Sequence, residues 1–160
     1  MNLALLRVDE RLVHGQVTMF WTRRVSATVI LVVNDQVASD PMQKSIMQLA
    51  APANTELDIC SMAETAEKMK TGAWGNKKVF VLVRNPIDAL RLIDLGLDLD
   101  FINVGGVRRP DADIKLTKEV SATEEELEAW KKLDEMGIKM EVQWVPGERK
   151  SNLNDVLKNF

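Results

Sequence analysis

The chain has 160 residues, 46% of them hydrophobic and 28% charged, with a formal net charge of −3. That length and balance fit one globular domain over residues 1–160, and a net-negative chain without a basic stripe is not expected to bind nucleic acid. One cysteine rules out an internal disulfide, and a single histidine beside it leaves no Cys/His metal cluster. No apolar run approaches the ~20 residues that span a bilayer and the N-terminus carries no cleavable signal, so a cytoplasmic protein without membrane insertion is expected.

Residues 3–8 read as a first strand. The stretch RVDERLVHGQV (7–17) then carries the only histidine, His14, into a helical pattern over 16–23. Strand-like runs follow at 27–33 (ATVILVV), 56–59, 78–83 (KVFVLV) and 101–104. The two quoted runs are largely apolar, as in parallel strands covered on both faces. Helix starts lie between the strands. Asp40-Pro41 and Asn85-Pro86 each set a capping residue before proline at the first helical position, and Ser61 with Glu64 forms a capping-box pattern. Gly96 is placed to stop the helix that begins at Pro86. Residues 105–116 (GGVRRPDADIKL) are the least regular segment and read as a loop. Thr123 with Glu126 opens a helix in which Leu127, Trp130 and Leu133 share a face, and Gly137 ends it. Met140, Val142 and Trp144 alternate as in a half-buried strand, and a short helix over 152–158 closes the chain.

Strand–helix alternation with short connections predicts an α/β fold, an open, mainly parallel central β-sheet with helices on both faces. Ligands in such sheets bind beyond the carboxyl ends of the strands. His14, Asp35, Ser61, Asn85 and the Gly105-Gly106 pair all follow strands and are expected on that edge.

A lone histidine can simply cap a helix or bond a loop carbonyl. The surroundings of His14 also allow a chemical role. Gly15 permits close backbone approach, and the first-turn amides at Gly15, Gln16 and Val17 offer an anion free N–H groups and a positive dipole end. Arg11 supplies a planar fork of donors suited to phosphate oxygens. A neutral imidazole, with an ordinary pKa of about 6.5, is a competent nucleophile. These parts suit phosphoryl transfer, whose charge-spread transition state needs positioning and electrostatic stabilisation above all. His14 would accept the group, with Arg11 and the helix amides on its oxygens. Asp9 would orient a loop donor, pair with Arg11, or form a plain strand-end salt bridge, while Glu10 is read as solvated. Arg108 and Arg109 would contact a phosphoryl group or a partner, or lie solvated. Gly105-Gly106 lacks the G-x-G-x-x-G and Walker patterns, so neither a nucleotide nor any other cofactor is expected. Cys60 has no second histidine to activate it and reads as inert packing. Trp21 and Trp144 read as core or interface residues.

RVDERLVHGQV with Trp21 four residues on, VVNDQVASDPMQ, PIDALRLIDLGLDLDFINVGG and the helix–Gly–strand–Pro ending together resemble the IIB component of the mannose/fructose/sorbose family. That family belongs to the bacterial phosphoenolpyruvate-dependent sugar phosphotransferase system (PTS). The similarity covers nearly the whole chain. The resemblance implies a cytoplasmic phosphocarrier with one antiparallel edge strand in its sheet. Such a carrier takes a phosphoryl group from a IIA phosphohistidine, passes it to a sugar bound by the IIC/IID membrane permease, and associates with the membrane through that permease. It implies that His14 is the phosphorylated residue, through Nδ1, that Arg11 steadies the group, and that Ser61 contacts it. Relatives commonly follow the Asn103–Gly106 segment with methionine or leucine, whereas this chain has Val107-Arg108-Arg109-Pro110. No IIA sequence accompanies these residues, so a separate IIA polypeptide is expected. The rival readings are a phosphate-sensing module without covalent chemistry and a small phosphohistidine hydrolase, the latter disfavoured by the lack of a second histidine acid/base.

Overall fold

The computed structural model describes all of residues 1–160. Seven strands form the main sheet: β1 (Asn2–Val8), β2 (Val29–Val33), β3 (Glu56–Cys60), β4 (Lys78–Val83), β5 (Phe101–Val104), β8 (Lys139–Val142) and β9 (Ser151–Asn152). Their order is β3-β2-β4-β1-β5-β8-β9. Every pairing is parallel except β8 with the edge strand β9. A small antiparallel hairpin, β6 (Ile114–Lys115) with β7 (Ser121–Ala122), stands apart from it. The helices are α1 (Gly15–Arg24), α2 (Asp35–Ala38), α3 (Pro41–Ala50), α4 (Met62–Thr71), α5 (Pro86–Asp94), α6 (Glu124–Glu135) and α7 (Leu153–Leu157).

The apolar runs form central strands because both faces of the sheet are covered. All five residues of β2 are fully buried. They alternate between two cores: Val29, Leu31 and Val33 join Met62, Leu92, Trp130 and Leu157 from α4 to α7, whereas Ile30 and Val32 join Trp21, Val37 and Met47 from α1 to α3. Removing side chains of this size from water stabilises the fold by about 1.5 to 3 kcal/mol each. The expected caps form as read. Asp40 accepts from Met42 and Gln43, Asn85 accepts from Asp88, and Ser61 and Thr123 each complete a capping box.

Two expectations change. The strand expected to run through Trp144 ends at Val142, because the carbonyls of Gln143 and Trp144 turn to the Arg7 guanidinium instead of a neighbouring strand. Residues 105–116 are not all loop: Val107 bridges Val120, and Ile114 and Lys115 pair with Ala122 and Ser121. Pairings this short leave no periodicity to read. The same holds for the single turn of α2, capped by Asn34.

The topology selects one place on the carboxyl edge. From β1 the chain moves through α1 to β2 on one face, and later moves from β4 through α5 to β5 on the other. The direction of winding reverses around β1, which lies between β4 and β5. Such a switch point opens a crevice at the strand's carboxyl end. His14 stands six residues beyond the end of β1.

Candidate functional site

Arg7 and Asp9 close strand β1 and are almost wholly buried, each about 1% exposed. An isolated charge at that depth is strongly disfavoured, so each needs partners. Arg7 finds one for every N–H of its guanidinium. Nε and Nη2 donate to Asp9 Oδ2 at 3.3 and 3.2 Å, and Nη2 also donates to the Trp144 carbonyl at 3.0 Å. Nη1 donates to Asn103 Oδ1 and to the Gln143 carbonyl, the latter at 2.9 Å. The guanidinium carbon also lies 5.2 Å from the centroid of the Trp21 ring, a cation–π distance. Strand β5 supplies Asn103 in direct register with Arg7, and the segment after β8 supplies the two carbonyls.

Asp9 is saturated in turn. Its Oδ1 accepts from the Arg11 backbone N–H at 3.0 Å, and its Oδ2 is 2.9 Å from His14 Nε2. Burial pushes the Asp9 carboxyl upward, but the His14 hydrogen bond, the Arg7 charge and the Arg11 amide outweigh it and hold the group below the usual carboxylate range. The ionised carboxylate only accepts, so Nε2 carries the hydrogen, and a neutral ring in that tautomer has its lone pair on Nδ1. Leu12, at φ +56°, and Gly15, at φ +52°, both take left-handed backbone, which folds the loop back so that His14 reaches Asp9. His14 is the N-cap of α1 but its side chain makes no cap bond; its backbone N–H donates to Thr18 Oγ1 at 2.9 Å.

Gly105 explains itself by volume. A Cβ there would stand 2.6 Å from Asp9 Oδ2 and 2.7 Å from Arg7 Cζ, so the ion pair occupies the space a side chain would need. Gly106 leaves room for the Trp144 ring, whose Cζ3 would lie 3.2 Å from a Cβ. The glycine pair therefore receives the ion pair and an indole.

The expected site residues separate accordingly. His14, Asp9 and the Arg11 backbone come together. Of the three alternatives for Asp9, it orients the Arg11 amide and forms the strand-end salt bridge with Arg7, while the Arg11 side chain is exposed and not paired with it. Gly15, Gln16 and Val17 form the first turn of α1, where no intrahelical acceptor exists for the amides. Ser61 lies at the end of β3, separated from β1 by β2 and β4, and its hydroxyl accepts from the Glu64 N–H at 3.0 Å. Glu10 is not simply solvated: its carboxylate accepts from the Arg108 N–H at 2.9 Å and its carbonyl from Arg84 Nε at 3.0 Å. Arg109 turns inward to Glu126 at 2.8 Å, while the Arg108 side chain makes no ion pair. Burial and the neighbouring Asp58 push the Cys60 thiol up to about 11, and its sulfur donates to Asp58 at 3.2 Å, so it is held as a thiol. Sequence reasoning missed Arg7, Thr18, Asn103 and Trp144. Arg7 alone carried a signal, a charge at the end of an otherwise apolar central strand.

The Arg7–Asp9 pair makes a prediction about acid stability. A carboxylate with a depressed folded pKa contributes stability that is present above its unfolded value of about 3.9 and lost as pH falls through the folded one. Asp9→Asn strips Arg7 of its counter-charge and should lower unfolding free energy by about 3 to 5 kcal/mol near neutral pH. Urea titrations should show that gap shrinking below about pH 4, as the wild-type carboxylate itself becomes protonated. A gap independent of pH would mean that Asp9 is not ionised in the folded protein.

Comparison with known proteins identifies the family of the chain. The family model described as "PTS system sorbose subfamily IIB component" matches residues 3–160. The fructose-specific EIIB component of Bacillus subtilis is 31% identical over 99% of this chain and 98% of its own length. The mannose-specific EIIAB component of Escherichia coli is 32% identical over the whole chain, which spans 50% of that longer protein. The crystal structure of the IIBSor domain of the sorbose permease from Klebsiella pneumoniae superposes with a TM-score of 0.92 at 30% identity, covering 99% of this chain and 98% of that one. With a family model matched across almost its full length and a relative aligned end to end, the chain belongs to the sorbose subfamily of PTS IIB components and is a component of a sugar phosphotransferase.

Proposed function

We propose that His14 accepts a phosphoryl group on Nδ1 from the phosphohistidine of a IIA domain and hands it to a sugar held by a IIC/IID permease at the cytoplasmic face of the membrane. The observation that carries this reading is the 2.9 Å contact between His14 Nε2 and the Asp9 carboxylate, which leaves Nδ1 as the nucleophile.

The Nδ1 lone pair attacks phosphorus while the donor's N–P bond breaks, and that bonding pair returns to the donor imidazole. The His14 ring now bears phosphate on Nδ1 and hydrogen on Nε2, so it becomes cationic as the bond forms. Asp9 stabilises that developing charge at a fixed distance and is itself kept ionised by Arg7, which favours the transition state over the neutral ring. In the second transfer a sugar hydroxyl attacks phosphorus, the pair returns to Nδ1, and the hydroxyl proton leaves with solvent or a permease base. The Arg11 fork, which is exposed, and the free amides that open α1 would hold the phosphoryl oxygens through both steps. Ser61 is engaged in its cap and has two strands between it and β1, so no phosphate contact is assigned to it. Among the arginines of the 107–110 segment, Arg108 is the one whose charge is free for a partner.

The relatives support the assignment. Those described above are named for fructose, mannose and sorbose systems, and one name joins an A and a B component in a single chain. No helix here is long and apolar enough to cross a membrane, which fits a carrier that meets its acceptor through a separate permease.

With IIA, phosphoenolpyruvate and the general phosphotransferases present, intact-mass spectrometry should show one acid-labile, alkali-stable phosphate on the wild-type protein and none on His14→Ala. An adduct persisting on that variant would end the assignment, and no adduct on the wild type would favour non-covalent phosphate binding. Arg11→Lys should leave the fold intact, since the side chain is exposed, and raise the transfer barrier by about 2 to 4 kcal/mol. Rapid-quench rates equal to wild type would remove Arg11 from the site.

A further inference from the structure

We propose that the indole of Trp144 is a positioning residue that shields phosphorylated His14 from water and sets how long the phosphoryl group survives without an acceptor. This rests on the carrier reading above and adds a residue to it.

Four observations converge on Trp144. Its ring centroid lies 6.0 Å from that of His14 with the planes tilted by 51°, which makes it a direct aromatic neighbour of the imidazole. Its carbonyl is the shared acceptor of Arg7 Nη2 at 3.0 Å and Trp21 Nε1 at 2.9 Å, so the backbone at this position is tied to both β1 and α1. Gly106 opens the space the ring occupies. His14 is only 8% exposed, whereas its neighbour Trp144 is half-buried.

A fixed backbone with a large apolar ring beside the nucleophile suits a wall. The indole N–H of Trp144 makes no hydrogen bond within the chain, unlike those of Trp21 and Trp74, so packing alone holds the ring. Hydrolysis needs a water in line with the Nδ1–P bond. Its oxygen attacks phosphorus, the bonding pair returns to Nδ1, and the departing dihydrogen phosphate carries away both water protons, leaving the neutral ring. Excluding water from an active site suppresses this kind of side reaction. The indole performs that exclusion with dispersion contacts and adds no group that competes with a partner for the phosphoryl oxygens. Asp9 makes a shield more necessary, because a carboxylate that keeps Nε2 protonated also keeps the phosphoryl group labile.

The test follows decay of the isolated phosphoprotein after removal of IIA and phosphoenolpyruvate, using phosphorus NMR on wild type and the series Trp144→Phe, Trp144→Leu and Trp144→Ala. Each substitution keeps the backbone carbonyl that Arg7 and Trp21 use. Hydrolysis should quicken as the side chain shrinks, reaching roughly tenfold for Trp144→Ala, the factor that about 1.4 kcal/mol of barrier represents. Trp144→Phe should stay close to wild type. Phosphorylation by IIA should persist throughout, which a variant with a collapsed site would not show. If the alanine variant does not fold, the phenylalanine-to-leucine step still decides the order. Adducts that form normally and decay at one common rate overturn the shield and leave the carrier reading standing. A wild-type protein that forms no adduct overturns both.

Discussion

One carboxylate, that of Asp9, sits almost fully buried between the Arg7 guanidinium and the His14 imidazole, and the rest of the site is arranged around it. A buried ion pair contributes little net stability unless every remaining donor and acceptor is satisfied. Here they are satisfied by groups from distant parts of the chain: Asn103 on β5, the Gln143 and Trp144 carbonyls after β8, and the Arg11 amide in the loop. The central strand, its neighbour and the segment past β8 are thereby pinned to one another at the carboxyl edge. The parallel sheet places three strand ends side by side, and the ion pair turns that adjacency into fixed distances.

Function follows from the same constraint. An imidazole in water populates both neutral tautomers and turns freely about its side-chain bonds. The 2.9 Å contact with Asp9 favours the tautomer with hydrogen on Nε2 and fixes the ring's orientation, so under the proposed mechanism the attacking nitrogen is chosen before any donor arrives. In the proposed transfer, the charge developing on the ring would be met by a carboxylate already in place, with no reorganisation at that moment. The network around Asp9 contrasts with the rim of the site, where the Arg11 and Arg108 side chains are exposed. Such an arrangement suits a carrier, which must keep its reactive atom fixed while meeting different partners.

Much of the fold was legible because its signals are local. Apolar runs such as ATVILVV mark strands covered on both faces, and Asp40, Ser61, Asn85 and Thr123 cap helices where their spacing to proline or glutamate indicates. The short elements were not legible, since the two-residue pairings of β6 with β7 and the single turn of α2 are too brief to show a period. In the site, His14 stood out as the only histidine, placed after a strand and before a helix. Most of its surroundings did not, because Asn103 and Trp144 meet Arg7 only in the folded sheet, across about a hundred residues or more of sequence. Arg11 is the instructive case. Its side chain drew attention as a phosphate ligand, yet its contact with Asp9 runs through the backbone amide, while the guanidinium that neutralises Asp9 belongs to Arg7, two residues before the carboxylate in the strand.

The central claim is that Asp9 holds the hydrogen on Nε2 and leaves Nδ1 bare. With one histidine in the chain, ring nitrogen-15 NMR with long-range proton correlation reads this directly, before and after phosphorylation. The account predicts a protonated Nε2 beside an unprotonated Nδ1 in the resting protein at neutral pH, and phosphorus coupling at Nδ1 in the phosphoprotein. A resting ring protonated on Nδ1, or phosphorus bonded to Nε2, would contradict it.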